Sequence, residues 1–571
     1  MRLISIKFKN NISYYFNLLL LVLFSFYISY YYGFKGIIPL DDFVNLNSGY
    51  RFYTGDLPFK DYYEITGPVL SILQGFLFKV FGLSWKTFVF NSAIFNCLTS
   101  LIIFFCFLHI SKNKNLSLII AILFSLLFYP NNGVPGVDHH AWSLALISLL
   151  LFYIGLETKK FVYIFFSILA LFLSFFIKQV PSSYILVLIA LLYIFQSYKE
   201  KRIIHFFKII LTTLFIFTSI FLLIKMNEID FNLFFQQYFL MLINFSGERI
   251  DKINLYWIKQ NISQIYFLFF LIFPALILLF GLKHKISLNE KKIFLLIFSL
   301  ILICILYEIH TNNQAITFAL IPIICGFLYS IQNKIKKNNF LNYIYIILIS
   351  LCILKIIQYK IFYIFPIIIF FVICFFYLKK NKNFSISLNF LLVIYLLFSS
   401  FYYFGTNVNP RLYKDIEYEK NIISFDGSKI DKFFQDLNWR LNSEVSEELF
   451  IKKIKSTISF LKELNQNYIF ITDYQFYNLI LNKKDFSPVK YWATEISYPS
   501  KKNKLRKNFE AFFLRKMLNN NIEYIIVDQN TSVFKESILD FSFLSECLES
   551  KFIDKDLKLE IYKFRFNCFE K

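Results

Sequence analysis

Glycine and proline are sparse in this chain, 15 and 12 residues in 571, and the short signatures of nucleotide and zinc chemistry are missing. No GxxxxGKS or GxxxxGKT run occurs and no GxGxxG follows a strand-like segment, so neither glycine-rich phosphate cradle is present. A cytosolic nucleotide donor is therefore not expected. HExxH and CxxC are absent too, which argues against a zinc hydrolase or a thiol-redox enzyme. Acidic side chains are scarce over most of the length. Residues 1–404 hold 14 of them against 33 Lys and Arg, whereas residues 405–571 hold 24 against 27. The formal charge of +22 thus resides in the apolar part, where short lysine-rich connections orient membrane spans. Nucleic acid is not needed as a partner.

What fills the chain instead is apolar surface: 57% of residues are hydrophobic and 21% aromatic, far above a soluble domain. This is the composition of a polytopic membrane protein. Apolar runs near 12–33, 87–109, 116–131, 139–156, 161–177, 181–198, 206–225, 264–282, 292–307, 314–331, 340–357, 361–378 and 386–404 predict about thirteen spans. The first lacks the short apolar core and small-residue cleavage site of a removable signal peptide and is expected to remain as a span. Alternate connections carry Lys112 and Lys114, Lys159 and Lys160, Lys199 to Arg202, Lys283 to Lys292, Lys334 to Lys337, and Lys379 to Lys382. These connections and the N-terminus are expected in the cytoplasm. Segments 34–86, 132–138, 178–180, 226–263, 308–313, 358–360 and the tail then face outward. They hold eleven of the 14 acids before residue 405.

Two domains are expected: a helical transmembrane unit, 1–404, whose first outer loop is 34–86, and a small extracytoplasmic α/β unit, 405–571. In the second, helix-like 449–464 and 503–521 alternate with strand-like 468–473, 523–528 and 558–566. The apolar stretch 71–82 is too short to span and is expected to lie along the interface as an amphipathic helix. Six cysteines (Cys97, Cys106, Cys304, Cys325, Cys352, Cys374) fall in apolar runs and read as small buried hydrophobes. Cys547 and Cys568 form a bond only if the tail faces an oxidising compartment, and spacing does not decide it.

The acids gather in DDFVNLNSGYRFYTGDLPFKDYYEITGP, 41–68, which has five carboxylates in 28 residues. Asp41 and Asp42 follow the first span, where a carboxylate at a low-dielectric boundary can be tuned as a general base; the plainer role is to cap a helix. Asp61 and Glu64 share the loop. In PNNGVPGVDHHAW, Asp138, His139 and His140 stand at the top of a span, where ionisable groups are functional candidates. Capping and interfacial anchoring compete with that role, and neighbours about 100° apart on a helix cannot all meet one ion. Lys178, beside Gln179, opposes the positive-inside trend; it either meets a phosphate at the membrane surface or snorkels. Arg249 could clamp a phosphate or pair with Glu248 or Asp251. His310 and Asn313 complete the outer polar set, in which Asp61, Glu64, His139, His140, Lys178, Gln179, Arg249, His310 and Asn313 are expected to bind substrate.

The order of these features resembles the C-type glycosyltransferase superfamily, which includes protein O-mannosyltransferases, aminoarabinose transferases and Rgt-like sugar transferases. The resemblance rests on DD at 41–42, GDLPFKDYYE at 55–64, GP at 67–68 and FKVFG at 78–82. HTNNQAITFALIPII at 310–324 and the appended α/β domain are similar to later features of the family. The resemblance implies transfer of a sugar, with inversion, from a polyprenyl-phosphate donor to a glycan, lipid or protein acceptor on the outer face of a cytoplasmic membrane. Asp41, with Asp42 next to it, takes the position of the base, and Asp138 resembles the acidic position of the second outer loop. Lys178, Arg249 or a divalent cation, Mg or Mn, would meet the departing phosphate. A non-catalytic flippase of lipid-linked glycans is the rival class, with a polymerase or O-antigen ligase as a second enzyme. A flippase should carry charges at mid-span and matching halves, and neither is evident.

Overall fold

A computed structural model describes residues 12–111, 114–128, 133–180, 203–243, 422–442, 446–531 and most of 534–565, with a few residues of 182–190 and Cys568. Most of the run expected to span at 181–198, every run from 264 to 404, and Arg249, His310 and Asn313 lie outside the described residues.

The apolar runs of the first part form helices α1 (Ile12–Tyr32), α4 (Trp85–Ser111), α5 (Lys114–Phe128), α6 (Val137–Thr158), α7 (Phe161–Ile177) and α8 (Ile203–Met226), with α2 (Pro39–Tyr53) and α3 (Val69–Phe81) inserted after α1. Four of these, α1, α4, α6 and α8, are long and apolar enough to cross a membrane. Small polar side chains let them approach and lock them. Asn96 Nδ2 of α4 donates to the Ser25 carbonyl of α1 at 2.9 Å and the Ser125 carbonyl of α5 at 3.1 Å. On α7, Ser167 and Ser174 donate to the Ser148 and Ala141 carbonyls of α6, both at 2.6 Å.

The bundle has two chemically different ends. At one, Lys114 lies over the Tyr14 ring, His109 faces Tyr163, and Lys159 and Lys160 join α6 to α7. At the other, Trp85 Nε1 donates to the Gly33 carbonyl at 2.9 Å, and a Cβ on Gly133, whose φ is +63°, would stand 2.2 Å from Gly33 N. The loop 54–68 meets the end of α7 there too. Gly67 has φ +146°, and a Cβ on it would lie 2.2 Å from the Phe176 carbonyl oxygen, so glycine is required. The expected amphipathic helix forms as α3. It buries Leu70, Gln74, Leu77 and Phe78 against α2 and its neighbours and exposes Ile72, Phe76 and Val80.

The C-terminal region is a small α/β unit built on a four-stranded sheet of order β3-β4-β6-β5: β3 (Asn467–Ile471), β4 (Ile522–Asp528), β5 (Leu548–Asp554) and β6 (Leu559–Phe564). β3 and β4 are parallel, joined through the helix Arg506–Asn519, while β6 pairs antiparallel with β4 and β5. Side chains alternate between faces with period 2. Ile469, Ile471, Ile525 and Val527 pack under Phe509, Phe512 and Phe513 of that helix. Phe470 and Ile526 point the other way, into a second core with Ile454 and Leu461 of the helix Glu447–Glu463. Burial on both faces explains why 468–473 and 523–528 read as nearly continuous apolar runs. A hairpin of β1 (Ile422–Asp426) and β2 (Asn438–Asn442) and the edge strand β5 were not apparent in the sequence. Cys547 and Cys568 are disulfide-bonded.

That second core crosses the expected domain boundary. It also contains Phe43, Leu46 and Tyr50 of α2, with Trp85 and Phe88 of α4. Phe43 is fully buried and touches the rings of Trp85, Trp439, Tyr474 and Phe476. Its truncation leaves a cavity in both parts at once. Phe43→Ala is expected to cost about 3–5 kcal/mol and to speed amide hydrogen exchange in β2 and in 474–481 together with α2; an effect confined to α2 would contradict the shared core.

Candidate functional site

Pro39 starts α2 with its missing N–H where none is needed and sets the two aspartates one residue apart on a helix, about 100° from each other. Their fates differ. Asp42 is 1% exposed, and its Oδ2 accepts the Ile38 N–H at 2.7 Å, so it caps the helix start. Asp41 is exposed, and its carboxylate takes no hydrogen bond or ion pair from a described residue; only its carbonyl is used, accepting Asn45 Nδ2 at 2.9 Å.

The loop acids hold the loop to its neighbours. Asp56 pairs with Arg51 at 3.1 Å and Lys484 at 2.9 Å; Asp61 accepts Lys516 Nζ and the Leu57 N–H, both at 2.8 Å; Glu64 pairs with Lys490 at 3.2 Å and accepts the Thr66 hydroxyl at 2.6 Å. Three of these cations belong to the C-terminal region. Arg51, itself 1% exposed, donates to the Ser487 carbonyl at 2.8 Å and lies 4.1 Å from the Tyr62 ring centre. Asn47 Nδ2 donates to Asp485 at 2.6 Å. Gln179 Nε2 donates to the carbonyls of Ile65 at 2.6 Å and Tyr238 at 3.2 Å, and Gln237 bridges Glu64 N–H and the Phe59 carbonyl, each at 3.0 Å. Asp61, Glu64 and Gln179, expected to bind substrate, are therefore engaged in fastening this loop.

Asp138 and Lys178, expected in the same site, do meet. They form an ion pair between the first turn of α6 and the residue that closes α7, each about one-third exposed (30% and 32%). The apolar residues Leu70, Ala141 and Ile177 pack together beside it. His139 and His140 are buried in α6; the His140 ring stacks 3.9 Å from Phe95, and its Nδ1 lies 3.1 Å from the Gly136 carbonyl, while Ser143 donates to the His139 carbonyl at 2.8 Å. The His140 ring thus packs between α6 and α4, and His139 is buried within α6. Among the described residues no three His, Cys, Asp or Glu side chains converge as a metal-ligand set. Among the charged groups at the loop end of the bundle, the open carboxylate of Asp41 and the half-buried Asp138–Lys178 pair are accessible to an approaching molecule, as are Lys86 and the Lys60–Glu228 pair.

The sequence did not single out Arg51, Lys484, Lys490 and Lys516, which give the acids their partners, or Asp485, which accepts Asn47. Arg51 stands five positions from Asp56, but the other pairs join residues more than 400 positions apart, so nothing local marks them. The one available signal was the near-balance of charge in the tail, where cations exceed what its own acids need by only a few. Set against models of known protein families the chain matches none, and no curated protein matches it.

Burial alone raises the Asp61 carboxyl, but the hydrogen bonds from Lys516 and Leu57 N–H and the Lys516 charge outweigh it and hold the group below the usual carboxylate range. For Lys516 burial weighs more than Asp61 restores, and its pKa falls. The Asp61 direction governs the pair, because the backbone N–H favours the carboxylate whatever the lysine does. A depressed carboxyl pKa adds stability that is full above the unfolded value, about 4, and is lost as pH falls through the lower folded value. Acid titration of unfolding should therefore show this loss in the native chain and a shallower one in Asp61→Asn. Glu64 and Lys490, 0% and 5% exposed, form a deeply buried pair, as do Arg51 and Asp56 at 1% each. Lys490→Met leaves a buried carboxylate unmatched and is expected to cost about 3–5 kcal/mol, with Glu64→Gln added to it recovering most of the loss; thermal unfolding of the two variants tests the non-additivity.

Proposed function

We propose that the protein is an integral-membrane glycosyltransferase that moves a sugar from a polyprenyl-phosphate carrier to a cell-surface glycan, lipid or protein acceptor, with inversion. It would work at the outer face of the cytoplasmic membrane, with the N-terminus in the cytoplasm and the C-terminal α/β region outside. The observation that carries this is the division of the bundle's ends. The acid loop, the Asp138–Lys178 pair and the C-terminal region share one end, and the lysine-bearing turns Lys114 and Lys159–Lys160 share the other. Lys35, Lys60, Lys86 and Lys178 stand at the loop end too, but among the five acids of its first loop and Asp138; the short lysine-bearing turns at the other end are the ones the positive-inside rule places in the cytoplasm.

A carrier with an isoprenoid tail stays in the bilayer and offers its phosphosugar at headgroup level. Asp41, rather than the capping Asp42, is the carboxylate open to an acceptor hydroxyl. As the acceptor oxygen bonds to the anomeric carbon, the bond from that carbon to the phosphate oxygen breaks, the hydroxyl proton passes to Asp41, and polyprenyl phosphate leaves. Lys178 supplies positive charge for the departing phosphate, with Asp138 holding the lysine in position until the phosphate arrives.

Membranes incubated with labelled polyprenyl-phosphate sugars provide the test. Asp41→Asn is expected to lower transfer to endogenous acceptors by about 10²–10⁴-fold at unchanged protein level, and Lys178→Gln to lower it as well. Wild-type transfer by Asp41→Asn, or the absence of transfer from every polyprenyl-linked sugar by the native chain, would remove the proposal.

A further inference from the structure

The helix Arg506–Asn519 has a sharply divided surface. Its inner side, Phe509, Phe512, Phe513 and Met517, is buried in the C-terminal core. Its outer side carries Lys507, Asn508, Ala511 and Arg515, all exposed, and the turn that feeds it adds exposed Lys501, Lys502 and Lys504. The acids nearby are already matched. Glu510 and Glu536 bind Arg506 at 2.7 and 3.2 Å, and Asp540 binds Lys501 at 2.8 Å. Lys502, Lys504, Lys507 and Arg515 thus form a basic face whose charge no described carboxylate offsets.

The place of this face says what it meets. Asn508 Nδ2 donates to Gln236 Oε1 at 3.1 Å, and Leu233 and Met241 pack into the core that the same helix closes. The basic face therefore borders the apolar helix 231–243, which exposes Phe231 (49%) and Phe235 (42%). That helix follows α8, one of the four helices able to cross a membrane, after a four-residue turn. Exposed phenylalanines on an apolar face beside lysines suit a helix lying at the membrane interface, and uncompensated lysines there attract anionic lipids. We propose that the Lys502–Lys504–Lys507–Arg515 face rests on anionic phospholipid headgroups and fixes the height of the C-terminal region above the bilayer. This depends on the chain being a membrane protein but not on sugar transfer, and its test reads no enzymatic activity.

The full chain would be placed in nanodiscs of phosphatidylcholine alone or with added phosphatidylglycerol, and amide hydrogen exchange followed over 501–515. Phosphatidylglycerol is expected to slow exchange there by about fivefold, corresponding to one or more lysines held near an anionic surface. The slowing should vanish near 1 M salt, where the screening length falls to about 3 Å, and in Lys502→Gln/Lys504→Gln/Lys507→Gln, while β3 and β4 exchange as before. If that variant misfolds, the salt dependence of the native chain carries the test. Equal exchange in both discs overturns the proposal. So does the same slowing caused in phosphatidylcholine discs by inorganic phosphate or a soluble polyanionic glycan, which would assign the face to a soluble anion.

Discussion

Buried carboxylates must be matched where they stand, because an ionised group taken out of water is tolerated only when a counter-charge and hydrogen bonds replace what water gave. Glu64 and Asp56 are almost wholly inaccessible, and both, with Asp61, find cations on a segment of chain more than 400 residues away. That requirement organises the loop end of the molecule. It fastens the loop 54–68 to the C-terminal region and leaves Asp41 as the first-loop carboxylate that is exposed.

The apolar core makes the same connection without charge. Phe43 sits among Trp439, Tyr474 and Phe476 on one side and Trp85 on the other, and Asn438 N–H donates across the boundary to the Phe34 carbonyl at 2.9 Å. Ion pairs give this junction its register and aromatic packing gives it most of its stability, since pairs of this kind gain little net energy over apolar substitutes.

Much of the fold was legible in the sequence. Apolar run length gave α1, α4, α6 and α8, and the double-sided burial of β3 and β4 wrote YIFITD and EYIIVD as apolar runs bounded by aspartate. β5 was hidden because LESKFID is an exposed edge with no alternation to read, and the β1–β2 hairpin because its strands are five residues long and separated by two short helical turns. The candidate site was legible in part. Asp138 and Lys178 stand out as charges at helix ends and do meet, whereas the ion pairs of Asp56, Asp61 and Glu64 with lysines more than 400 positions away have no local signal. Helical geometry guaranteed that Asp41 and Asp42 would face differently, but which one points inward is decided by packing around Phe43, and no local pattern carries that.

The first loop and the C-terminal region are joined as one body by the shared core and the ion pairs. Two backbone amides report on it directly: Asn438 N–H, which donates to the Phe34 carbonyl, and Tyr63 N–H, which donates to the Pro488 carbonyl at 2.8 Å. Native-state hydrogen exchange of the full chain should find both opening with the same free energy as the core amides of β3 and β4. Fast exchange at Asn438 and Tyr63 beside protected β3 and β4 would mean that the region moves independently of the loop, and would contradict the account.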